Sequence, residues 1–308
     1  MRWMKKGKIE LDEYMDNNHS VSSFAMLPTP LLINEDTIRV YIGFCDCNNV
    51  GRIGYVDVCA DNPRIVKNIS PSPILDIGRA GCFDDNGVVP LSVIAVENKI
   101  YLYYVGFQTG VKVPYFMFGG LAISQDGGDS FQRASEAPVL DRKDDELFAR
   151  CGMNVMRDQD IYKMWYVGTI NEGWVQSHGS LKPLYTMRYT ESKDGVYWDQ
   201  PSVSCMQFNN EDEHGFGRPY VWKEDNSYKM LYSIRTYSRG YYIGYAESAD
   251  GLKWIRKDGL AGITTSASGW DSQNISYPCM LQTKGKTYLF FNGNSCGRTG
   301  FGYAELVE

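Results

Sequence analysis

The sequence predicts an all-β chain folded as a five-bladed β-propeller. Three observations predict it: a strand signature that returns five times, a composition rich in aromatics and glycine, and two termini that complete each other. The signature is clearest in the second strand of each unit. It reads Arg39-Val-Tyr-Ile-Gly43, Tyr101-Leu-Tyr-Tyr-Val-Gly106, Tyr162-Lys-Met-Trp-Tyr-Val-Gly168, Tyr228-Lys-Met-Leu-Tyr-Ser233 and Tyr288-Leu-Phe-Phe-Asn-Gly293. Ile38, Ile100, Tyr162, Tyr228 and Thr287 share one column, so the repeat advances by 62, 62, 66 and 59 residues.

Each unit opens on a strand that runs into a proline or glycine, at Pro28, Pro90, Gly152, Pro219 and Pro278. The third strands fall in register as Gly54-Tyr-Val-Asp57, Gly120-Leu-Ala-Ile-Ser124, Arg188-Tyr-Thr-Glu-Ser192, Gly244-Tyr-Ala-Glu-Ser248 and Gly302-Tyr-Ala-Glu305. Three of them lead into Asp-Gly turns at Gly127, Gly195 and Gly251, followed by Phe131, Trp198 and Trp254. Asp-Gly supplies the positive φ a tight hairpin needs, so these turns are read as staples rather than ligand sites. The last unit ends at Glu308 without an outer strand, and Trp3-Met-Lys-Lys-Gly7 matches Trp254-Ile-Arg-Lys-Asp258. The N-terminal residues from about Trp3 to Leu11 are therefore expected to complete the final blade and close the ring, hiding sheet edges. One domain over residues 1–308 follows.

Composition narrows the function. Aromatics make up 14% of the chain, beside 31 glycines, as many short twisted strands require. A net charge of −6 without a Lys/Arg block argues against a nucleic-acid surface. No apolar run is long enough to span a bilayer and the first residues lack a signal-peptide core, so a cytoplasmic location is expected. The eight cysteines form no paired framework and are expected as free thiols; Cys45-Asp-Cys47 has no complementary pair for zinc.

In a propeller the first strands line the axis, and the residues just ahead of each proline or glycine are the ones to inspect. They are Ser22-Ser-Phe-Ala-Met-Leu27, Asp84-Asp-Asn-Gly-Val-Val89, Glu146-Leu-Phe-Ala-Arg-Cys151, Glu213-His-Gly-Phe-Gly-Arg218 and Ser272-Gln-Asn-Ile-Ser-Tyr277. Asp84, Glu146 and Glu213 share a column, with Asp85 adjacent. Two carboxylates facing each other across a pocket are the equipment of glycosidic bond cleavage or transfer, so these four are the candidate acids. Arg150, His214 and Arg218 would hold an anionic group such as phosphate, a nucleotide diphosphate or a sugar carboxylate. Asp271, Ser276 and Tyr277 are further substrate contacts, and Trp174, Tyr185, Tyr220 and Tyr237 are candidates to stack on sugar rings. His19 joins the binding set. No cofactor and no obligatory metal are expected.

With these segments in view, Phe83-Asp-Asp-Asn-Gly-Val-Val-Pro90 and Glu213-His-Gly-Phe-Gly-Arg-Pro219 above all, the chain resembles the five-bladed β-propeller glycosidase superfamily. That superfamily holds the arabinanases and xylosidases, the invertase and levansucrase relatives and the mannoside phosphorylases. The resemblance implies a base on blade one, a pKa-tuning aspartate on blade two matching Asp84 or Asp85, and an acid on blade three matching Glu146. Blade one departs from it, with Ser22-Ser-Phe where the base belongs and Asp16 as the nearest upstream acid. In the phosphorylase branch one aspartate donates the proton while arginines and a histidine bind phosphate, which is how Arg150, His214 and Arg218 are read. The expected function is a glycan-active enzyme that cleaves or transfers a glycosyl unit. The alternative is a carbohydrate-binding propeller that has lost its base.

Overall fold

The computed structural model describes residues 1–11, 23–177 and 179–307, and nearly all its regular structure is strand. The strand β1 (Trp3–Lys8) comes first in the chain and pairs last. A first antiparallel meander follows: β2 (Ser23–Asn34), β3 (Thr37–Cys45), β4 (Gly51–Cys59) and β5 (Val66–Ile69). The second is β6 (Val88–Val96), β7 (Lys99–Thr109), β8 (Tyr115–Ser124) and β9 (Gln132–Arg133). The third is β10 (Ala149–Asp158), β11 (Ile161–Ser177), β12 (Ser180–Ser192) and β13 (Val203–Ser204). The fourth is β14 (Glu213–Glu224), β15 (Ser227–Thr236), β16 (Gly240–Ser248) and β17 (Ile255–Arg256). The last, β18 (Ser276–Thr283), β19 (Lys286–Asn292) and β20 (Phe301–Leu306), takes β1 as its outer strand, Trp3 opposite Leu306 and Lys8 opposite Gly302. Among the described residues helix is confined to short turns at Asp258–Leu260 and Asn294–Gly297. Among the described residues no helix is long and apolar enough to cross a membrane.

Neighbouring meanders are stitched by a repeated hydrogen bond. Tyr41, Tyr103 and Trp165 occupy one column of the second strand, and each donates to the hairpin turn of the next meander. Their acceptors are the Gly128, Gly195 and Gly251 carbonyls, at 3.4, 2.7 and 2.7 Å. The turns are built as the sequence predicts: Ser192 Oγ accepts the Gly195 N–H and Ser248 Oγ the Gly251 N–H. Trp198 and Trp254 each donate back to their own turn glycine. Around these bonds pack Tyr162, Met164, Tyr166, Met187 and Met230, all buried. The eight cysteines are free thiols.

The first strands gather at one place: β2 lies against β6 and β18, β10 against β6 and β14, and β14 against β18. All of them are bulged there. The ladders skip Leu27 and Pro28, Leu91, Gly152 and Met153, Arg218 and Pro219, and Tyr277 and Pro278. Proline has no N–H to give, and Leu27, Gly152 and Tyr277 adopt positive φ, so the pairing breaks and backbone carbonyls turn inward. Arg218 collects them. Its guanidinium donates to the carbonyls of Tyr277 (2.7 Å), Pro28 (3.0 Å), Leu91 (3.3 Å), Pro278 (3.3 Å) and Leu27 (3.4 Å), and to Thr29 Oγ1 (2.8 Å). No carboxylate of the described residues touches it, and burial pushes its pKa below the ordinary value.

Replacing Arg218 with methionine would take the central donor from the carbonyls of Pro28, Leu91, Tyr277 and Pro278, while Thr29 Oγ1 would still donate to the Leu27 carbonyl. We expect a loss of at least about 3 kcal/mol in urea unfolding. A change under about 0.5 kcal/mol would show that these carbonyls need no central donor.

Candidate functional site

The carboxylate column resolves into a buried clamp repeated from meander to meander. Asp84 is fully buried and accepts from Tyr104 Oη (2.9 Å) and from Arg133 Nε (2.7 Å) on the outer strand β9. Glu213 is gripped bidentately by Arg256 on the outer strand β17, at 2.7 and 2.8 Å, and accepts the Asn209 N–H. Asp271 is held by Lys5 of β1 and by Ser266. Arg133, Arg256 and Lys5 stand opposite Ala122, Ala246 and Ala304, which are equivalent positions of the third strand.

The third meander makes the same clamp with its parts exchanged. Glu146 accepts from Tyr166 Oη (3.0 Å) and from Ser202 Oγ (3.1 Å), and Arg188 Nη1 stands 3.5 Å away. Ser202 lies just ahead of the outer strand β13, one step beyond the Tyr189–Val203 pair and so level with the column of Arg133 and Arg256, while Arg188 fills the column of Gly120, Gly244 and Gly302. Those glycines are required, because a Cβ on Gly120 would lie 2.3 Å from the Tyr104 ring and one on Gly244 2.6 Å from Asp258. Where the glycine becomes arginine, the cation arrives from the third strand and the outer strand supplies a hydroxyl.

These contacts give every acid of the column partners close by: Asp84, Glu146 and Glu213 are each tied to cations and hydroxyls of their own meander. Asp85 closes a turn by accepting the Gly81 N–H (2.8 Å). Arg150, expected to hold an anion, donates to the Asp141 carbonyl (2.7 Å) and to Tyr166 Oη, with Nε 3.0 Å from Glu146. Arg218 is spent on carbonyls. His214 donates from Nδ1 to the Pro183 carbonyl (3.1 Å) and stacks on Tyr237 at 4.4 Å, and burial lowers its pKa to about 4. Ser276 is buried with its hydroxyl unpartnered among the described residues. His19 and Asp16 lie outside the described residues.

Of the predicted contacts, Tyr277, Trp174 and Tyr185 enter a different cluster, at the starting ends of β10, β14 and β18. The Tyr277 ring lies 5.5 Å from Tyr241, and Tyr241 Oη is 3.3 Å from Tyr185 Oη. Phe148 carries the wall on to Trp174 at 4.7 Å, and Trp174 meets Tyr115 edge-on at 5.2 Å. Tyr220 instead packs against Trp222. At the centre is Arg235, whose Nη1 donates to Tyr185 Oη (3.1 Å) and whose guanidinium lies 5.5 Å from the Tyr241 ring. Tyr185 foremost keeps Arg235 protonated beyond the ordinary arginine range, while burial raises Tyr115 to about 12.

Sequence reasoning missed Arg235 because the second-strand motif was read only to Ser233. Two residues further, in the column of Phe107 and Thr169, the cation stands out. Among the described residues no group of three or more His, Cys, Asp or Glu side chains is arranged to hold a metal ion.

Two predictions follow from this geometry. Arg133→Met leaves a buried carboxylate uncompensated and is expected to cost about 3–5 kcal/mol by urea unfolding, most of it recovered in the Asp84→Asn/Arg133→Met double variant. An unchanged single variant would contradict the clamp. His214 is neutral when folded and takes up a proton near pH 6.5 when unfolded. Its contribution is present above pH 6.5 and is lost as the pH falls towards 4, below which the slope ends. His214→Gln should flatten that part of the stability–pH curve, and an unaltered curve would refute the assignment.

No known protein-family model matches the chain. Among solved structures it superposes on a thermostable family-43 glycoside hydrolase with a TM-score of 0.67 and 18% identity, over 92% of this chain and 88% of that one. An endo-arabinase from Bacteroides thetaiotaomicron VPI-5482 gives 0.66 and 14%, over 93% and 95%. A GH32 β-fructofuranosidase of Bombyx mori gives 0.62 and 15%, over 97% and 66%. The chain therefore has the fold of the propeller glycosidases. In sequence it is 34% identical over 311 residues to the uncharacterized protein Rv1502 of Mycobacterium tuberculosis (strain ATCC 25618 / H37Rv), covering 99% of each, and it belongs to that protein's family.

Proposed function

We propose that this protein is a carbohydrate-active propeller: one domain of five blades, closed by β1, that binds a glycosyl unit at the aromatic mouth and cleaves or transfers it there. The observation that carries the reading is the wall of Tyr115, Phe148, Trp174, Tyr185, Tyr241 and Tyr277 where the first strands begin. Aromatic faces stack on the apolar faces of sugar rings, and hydroxyls at their rims bond the sugar hydroxyls. The likeness to glycoside hydrolases supports the fold on which such a mouth is built. The cycle of contacts β2–β6–β10–β14–β18 supports the closed ring.

The clamps bear on the chemistry. Proton transfer needs a carboxyl within reach of the glycosidic oxygen, and Asp84, Glu146 and Glu213 are held elsewhere by their cations. The acid or base must then come from another residue, and Asp16 is the one the sequence offers. This same observation favours a second reading, a binding propeller without turnover.

Mass spectrometry of the protein incubated with pooled oligosaccharides and nucleotide sugars, with and without inorganic phosphate, separates the readings. New sugar phosphates, elongated glycans or free sugars, abolished by Asp16→Asn, are the expected result. Bound but unaltered glycan establishes the binding propeller, and neither binding nor turnover overturns both.

A further inference from the structure

We infer that Arg235 holds an oxyanion of the glycosyl ligand, a phosphate ester or a sugar carboxylate, and that this charge is what the mouth selects. The inference rests on the carbohydrate reading above and adds the substrate class to it. It comes from comparing how this chain spends its buried or half-buried arginines. Arg39 is paired with Asp57 and Asp129, Arg133 with Asp84, Arg188 with Asp145 and Arg256 with Glu213 and Asp258. Arg218 is surrounded by carbonyls. Arg235 has neither arrangement: its hydrogen-bond partners among the described residues are the hydroxyls of Tyr185 and Tyr115.

A guanidinium has five N–H donors, so most of Arg235's are left for something else. Tyr185, Tyr241 and Tyr115 surround it with π faces and hydroxyls, which stabilise a cation without neutralising it. A second donor lies across Tyr115: Trp174 Nε1 is buried and has no acceptor among the described residues. A buried donor without an acceptor is costly, and here it belongs to the ring that packs edge-on against Tyr115, a partner of Arg235. Planar N–H forks match carboxylate and phosphate oxygens bidentately, and an aromatic surround excludes the water that would screen the pair. Arg150, His214 and Arg218, the anion holders expected from sequence, are bonded to the protein's own oxygens, and Arg235 on the second strand β15 takes their role.

The test uses the whole chain on a glycan array carrying matched neutral, phosphorylated and uronic-acid glycans, together with thermal unfolding in inorganic phosphate. Wild-type protein should favour the charged glycans, and the phosphate and uronate arms identify which anion is taken. Arg235→Gln should weaken charged glycans by about 10- to 100-fold while leaving neutral ones within about 2-fold. Trp174→Phe keeps an aromatic ring and removes the Nε1 donor, and should weaken the charged set by a larger factor than the neutral set. Equal wild-type binding of neutral and charged glycans would overturn the inference and leave the carbohydrate reading standing. If no glycan binds, phosphate that raises the melting temperature of wild type and not of Arg235→Gln would sustain the anion site and overturn the carbohydrate reading. No glycan binding and no phosphate effect would overturn both.

Discussion

The structure depends on one buried cation. Bulged first strands cannot satisfy their own carbonyls, and several such strands meeting in one place would bury a cluster of partial negative charge. Arg218 resolves this by reaching from β14 to carbonyls of β2, β6 and β18. It bonds to neutral oxygens on several strands at once, so its charge is spread over the junction and no single partner governs it. The prolines at positions 28, 90, 219 and 278 and the arginine form one design: the first create the orphan acceptors, and the second supplies the donors.

Outward from that junction the same economy recurs. Each clamp ties the run-in to a first strand to the outer edge of its own sheet, so the short outer strands β9, β17 and β1 are fixed by charge as well as by a few ladder bonds. Between sheets, the Tyr41, Tyr103 and Trp165 donors fix each meander to the next turn. Ion pairs of this kind are specific rather than strongly stabilising, because two desolvated charges repay little beyond their burial cost. Their effect here is to give each carboxylate of the column a cation or hydroxyl partner within its own meander. In the Tyr115–Tyr185–Tyr241 cluster, by contrast, Arg235 meets tyrosine hydroxyls and no carboxylate among the described residues, and Trp174 Nε1 has no acceptor among them.

The repeat made the architecture legible. Strand columns, turn staples and the N-terminal strand are all local patterns, and Trp3-Met-Lys5 against Trp254-Ile-Arg256 aligned two clamp cations while predicting only a strand. What the column could not reveal was its partners. Asp84 and Arg133 are 49 residues apart and Glu213 and Arg256 are 43, so a conspicuous acid looked available until the outer strand was placed beside it. The exchange of Arg188 and Ser202 in the third meander hid the pattern further. Arg235 was missed for the opposite reason: nothing in its immediate neighbours Ile234 and Thr236 distinguishes a mouth residue from the end of a strand.

The central claim is that the carboxylate column holds the fold while the Arg235–tyrosine mouth meets the ligand. A crystal structure with a bound oligosaccharide tests it directly. The account predicts sugar density against Tyr185, Tyr241 and Tyr277, within hydrogen-bond reach of Arg235, with the Asp84–Arg133 and Glu213–Arg256 pairs intact. Sugar lodged between Asp84 and Glu213, with those pairs broken, would contradict it.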